Sequence, residues 1–63
     1  MSIGENIKRI REANGLKQVD LAERANISQS MLCQLERGTK TLSAPLQKVF
    51  ADILGCDVND FYA

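Results

Sequence analysis

The chain contains no histidine and no tryptophan, only two cysteines and one proline, and it carries no net charge at pH 7. Without histidine it lacks the side chain that most often serves as general base or metal ligand near neutral pH. Cys33 and Cys56 stand 23 positions apart, which is neither a C-x-x-C redox pair nor, without histidine, a zinc-binding set. They read as two unpaired thiols of a cytoplasmic protein. There are no paired catalytic carboxylates, so no enzyme, metal site, cofactor or small-molecule ligand is expected. No apolar run approaches the roughly 20 residues of a membrane span, and the N-terminus lacks the apolar core of a signal peptide.

What is present is the composition of a globular domain: 63 residues, 44% hydrophobic and 25% charged. That length allows one domain, residues 1–63, with a small core to which every helix must contribute. Zero net charge argues against strong non-specific nucleic-acid binding, but the charge is unevenly placed. Between 28 and 41 the only acid is Glu36, against Arg37 and Lys40, whereas Asp52, Asp57 and Asp60 collect towards the end. The middle block is mildly basic.

Apolar spacing predicts five short helices and no strand, an all-α bundle. The first covers about residues 4–14, with Ile7 and Ile10 inward and Gly15 as its stop. The second covers about 17–24, with Leu21 and Ala22 inward. Asn26 follows at a turn, since asparagine tolerates the left-handed conformation. A third runs over 28–37, with Ser28 as N-cap and Gly38 closing it. After the loop 39–43, Ser43 caps a fourth helix that tolerates Pro45 in its first turn and buries Leu46, Phe50 and Leu54 before Gly55. Asp57 then caps a short helix holding Val58, Phe61 and Tyr62.

The third helix is the informative one. Leu32 and Leu35, flanked by Met31, project to one side. Gln29, Ser30, Cys33, Gln34 and Arg37 lie at offsets of 0, +1, +4, +5 and +8, which a 3.6-residue period gathers into one stripe. A surface helix usually shows lysine and glutamate to solvent. This one shows amides and a hydroxyl, the groups that hydrogen-bond base edges in a DNA major groove.

Motifs in register over most of the chain carry a resemblance. Ile7-x-x-Ile10-Arg11, Gly15-Leu16-x-Gln18, Leu21-Ala22-x-x-Ala25-x-Ile27-Ser28, Leu35-Glu36-x-Gly38 and Leu54-Gly55 are similar to the five-helix DNA-binding domain of lambdoid phage repressors and Cro proteins. That is the XRE-type helix-turn-helix family. The resemblance implies that Gln18, first in the second helix, holds a DNA phosphate, with Lys17, Thr39, Lys40 and Thr41 at further phosphate positions. It places Gln29, Ser30 and Gln34 at base-reading positions, with Cys33 facing the same groove. It also implies a partly buried Arg11–Glu36 pair linking the first helix to the third. Where several phage repressors carry an arginine that enters the minor groove, this chain has Leu42, Ser43 and Ala44, so no such contact is expected. Lys8, Arg9 and Arg24 read as solvated, and Cys56 as filler of a small apolar gap.

Val49 and Ile53 widen the apolar face of the fourth helix beyond what one core needs. With Val58 and Tyr62 they form a candidate dimer contact, since the family pairs two domains near its last helix. The expectation is thus a sequence-specific binder of double-stranded DNA, a homodimer on its site. A repressor is favoured because occupying a promoter needs nothing beyond binding. The alternative is an antitoxin or other protein-interaction regulator on the same fold, but the extra segment that would wrap such a partner is absent.

Overall fold

A computed structural model describes residues 2–62. Among them are four α-helices, α1 (Ile3–Ala13), α2 (Gln18–Arg24), α3 (Gln29–Arg37) and α4 (Ala44–Leu54), then a 3-10 helix, Val58–Tyr62. The described residues contain no strand, and no helix is long and apolar enough to cross a membrane. The fifth expected helix is therefore a 3-10 turn. Five residues give an α-helix too few internal hydrogen bonds, and the tighter ladder suits such a short piece.

The ends of the helices follow local hydrogen bonding. Ser2, not Gly4, starts α1: its hydroxyl accepts from Glu5 N, and Glu5 accepts from Ser2 N in return, forming a capping box. Lys17 lies just outside α2 in extended conformation and donates its backbone N–H to the Asp20 carboxylate at 3.0 Å. Ser28 and Ser43 each accept from the backbone N–H three residues on, capping α3 and α4. Between α2 and α3 the chain reverses through Asn26 at φ 58°. Ile27 N then donates back to Ala22 O at 2.9 Å, which sets where α3 begins.

Ile7, Leu21, Ala22, Leu32, Leu35, Phe50, Ala51, Leu54 and Phe61 form the core, with Ile10, Met31 and Leu46 packed half-buried at its edge. On α4 the expected stripe is shifted: Gln47 and Ala51 are buried where Leu46 is not. Gln47 tolerates burial because its amide nitrogen donates to Leu42 O and its carbonyl accepts from Tyr62 Oη. The helix α1 packs against both α3 and the 3-10 helix. On the second contact, Asn6 Nδ2 donates to Phe61 O at 2.7 Å across 55 positions of sequence.

Gly4 makes the first contact close. A Cβ at that position would collide with the carbonyl oxygens of Leu35 and Glu36, the latter at 2.7 Å. The backbone of α1 therefore rests directly on the last turn of α3. This approach brings Arg11 within reach of Glu36.

Candidate nucleic-acid interface

The buried side of α3 consists of Leu32, Leu35 and Glu36. With that side fixed, the helical period turns Gln29, Ser30, Gln34 and Arg37 to solvent and leaves Cys33 half-buried at the boundary. Gln29 and Gln34 make no side-chain hydrogen bond among the described residues. Their amide groups are therefore free to pair with an external donor and acceptor, as adenine presents them in the major groove.

Beside the buried Leu32 and Leu35, an ionic pair also holds this helix. Arg11 Nε donates to Glu36 Oε2 at 2.8 Å and Arg11 Nη2 to Glu36 Oε1 at 3.2 Å, with the two side chains 7% and 3% exposed. Such a two-pronged pair is more directional than a lysine contact, which acts as a point charge. Arg11 Nη1 donates onward to Leu16 O at 2.8 Å, tying the loop before α2 into the same network. Gln18 Nε2 donates to Glu36 Oε1 at 2.9 Å. One buried carboxylate thus joins α1, α2 and α3. The resemblance implied the Arg11–Glu36 link, whereas nothing in the sequence pointed to Gln18 as its third member.

Gln18 and Cys33 come together in one cleft, about 230 Å³, whose other lining residues are Lys8, Glu36 and Arg37. Since Arg11 neutralises Glu36, the cleft is left cationic through Lys8 and Arg37. Lys17, Lys40 and Thr41 are exposed on the segments that lead into α2 and out of α3. Thr39, also exposed, donates its hydroxyl to Gln34 O at 3.1 Å and so ties the start of the 39–43 loop to the end of α3.

Elsewhere the surface has a different character. A larger cleft, about 670 Å³, lies between α4 and the 3-10 helix, lined by Lys48, Ala51, Gly55, Cys56, Asp57, Val58 and Asp60. Lys48 is already paired with Asp52 at 2.9 Å, and the remaining carboxylates would repel a phosphate. Burial, then the charges of Asp60 and Asp57, pushes the Cys56 thiol up from its ordinary 9.0, as expected of an inert space-filling thiol. Of the candidate dimer residues, Val49 is 38% and Tyr62 59% exposed, while Ile53 and Val58 are half-buried. No group of histidine, cysteine and carboxylate side chains able to hold a metal occurs among the described residues.

A helix-turn-helix family model matches residues 7–61. The immunity repressor protein of Bacillus phage phi105 is 41% identical over 59 residues, which are 94% of this chain. The chain spans 41% of that repressor's length. Among solved structures, the clp gene regulator ClgR from Corynebacterium glutamicum superposes with a TM-score of 0.92 at 32% identity, over 95% of this chain and 64% of that one. The master regulator for biofilm formation SinR, solved in complex with DNA, matches with a TM-score of 0.88 at 27% identity, over 97% of this chain and 98% of that one.

Proposed function

The chain belongs to the helix-turn-helix family, and from that premise we propose that it is a transcriptional regulator, a repressor, that binds double-stranded DNA in a sequence-specific way. It acts in the cytoplasm as one DNA-binding domain, with no enzymatic step. The observation that carries this reading is the exposed amide face of α3, Gln29 and Gln34, whose side chains have no hydrogen-bond partner among the described residues, on a helix anchored from behind by the Arg11–Glu36 pair. In this reading α3 enters the major groove and α2 lies across its edge. Gln29, Ser30 and Gln34 read bases, with Cys33 beside them. Lys17, Gln18, Lys40 and Thr41 hold phosphates, which position the helix without carrying sequence information; Thr39, whose hydroxyl and N–H both donate to Gln34 O, joins them only by turning its hydroxyl away from α3. The similarity to a phage immunity repressor and to a regulator solved on DNA supports the same reading.

The division of labour is testable by affinity on a selected operator and on random duplex at several salt concentrations. Gln29→Ala should cost about 1–3 kcal/mol per half-site on the operator and relax preference at one base pair, with little change on random DNA. Lys40→Ala should weaken both alike and flatten the salt dependence by about one unit per half-site. Equal losses on both DNAs for the two variants would mean that α3 is not the reading element.

A further inference from the structure

We propose that Glu36 is a positioning residue for DNA binding: its buried carboxylate orients the Gln18 amide before DNA arrives. This rests on the reading of Gln18 as a phosphate contact. An amide side chain can turn either its oxygen or its nitrogen to a neighbour. An ionised carboxylate only accepts, so Gln18 must present its nitrogen to Glu36 Oε1, as it does at 2.9 Å. That bond uses one of two N–H donors. The second stays available on a side chain that lines the cationic cleft with Lys8 and Arg37.

A carboxylate beside a phosphate site would ordinarily repel the ligand. Here Arg11 donates to both of its oxygens through Nε and Nη2, which cancels its charge and fixes its geometry. Glu36 can therefore orient Gln18 without opposing the phosphate. The benefit is preorganisation: a glutamine already held in one rotamer loses little freedom on binding, and that freedom is worth about tenfold in affinity. Gln29 and Gln34, without such a bond, stay free to adapt to base edges. A preorganised phosphate contact is thus paired with readers left free to adapt.

The test is a cycle of Gln18→Ala and Glu36→Gln, read as affinity for random-sequence duplex. Gln18→Ala should weaken binding about tenfold per half-site in the native chain and less than about threefold in the Glu36→Gln background. An undiminished effect in that background overturns the proposal and leaves the contact reading intact. No effect of Gln18→Ala in the native chain, where Lys40→Ala does weaken binding, removes the contact reading and this proposal with it. If Glu36→Gln fails to fold, side-chain amide relaxation on the native, DNA-free chain decides. The Gln18 amide should be nearly as ordered as rigid backbone, about 0.85, with Gln29 and Gln34 below about 0.6. A Gln18 amide as mobile as those two would overturn it.

Discussion

Gly4 reverses the usual ranking of residues in a helix. Alanine is ordinarily better than glycine inside a helix by about 1 kcal/mol. At this position the added Cβ would strike two backbone carbonyls of α3, which cannot rotate away as a side-chain tip could. Gly4→Ala should therefore destabilise the fold by a net 1–3 kcal/mol or so, measured by urea unfolding. Equal or higher stability would show that α1 can lift off α3 without cost. Glu36 poses the complementary case, a charge whose removal strands its partner. With Arg11 only 7% exposed, Glu36→Ala should cost roughly 2–4 kcal/mol, well above a surface pair. A double-mutant cycle with Arg11 that gave coupling under about 0.5 kcal/mol would reduce the pair to a surface contact.

Among the elements, α3 depends on how it is entered. Ser28 caps it through a 3.0 Å bond from Met31 N, directly after the turn at Asn26. Ser28→Ala leaves that N–H without its partner and should cost about 1 kcal/mol of stability. Because the cap sets the formation of the helix and not the identity of its readers, the ratio of operator to random-DNA affinity should stay unchanged in the folded variant. A shift in preferred sequence would instead make Ser28 part of the reading surface. The cap and the buried Leu32–Leu35–Glu36 side together determine which side chains of α3 reach outward.

For the molecule as a whole, a zero net charge and a handful of phosphate contacts bear on how tightly one copy can bind. A single domain with about 3–5 such contacts is weak at physiological salt. We therefore expect two copies on inverted half-sites about 34 Å apart, one helical turn of DNA. The exposed Val49 and Tyr62, with Ile53 and Val58 beside them, are the surface proposed to bring the copies together. Val49→Asp should weaken binding to a two-half site while leaving an isolated half-site unaffected. Selection of an unrepeated half-site, occupied by one protein per duplex, would contradict the pairing.

Helix positions, the turn at Asn26 and the outward amide face were legible in the sequence because they depend on neighbours within about four residues, through caps, stops and the 3.6-residue period. The Arg11–Glu36 link came from the family resemblance, with no local signal of its own. What remained hidden spans longer separations. Gln18 meets Glu36 across 18 positions and Asn6 meets Phe61 across 55, and neither pairing leaves a periodic trace. Gln47 replaces Leu46 on the buried side of α4 only because Leu42 O and Tyr62 Oη satisfy its amide. Gly4 looks like an ordinary helical residue until α3 crosses against it. Local hydrogen bonding and apolar spacing thus determined the elements and their faces. The packing of α1 and α2 against α3 decided which polar groups share a buried carboxylate, because only packing brings such distant donors to one acceptor.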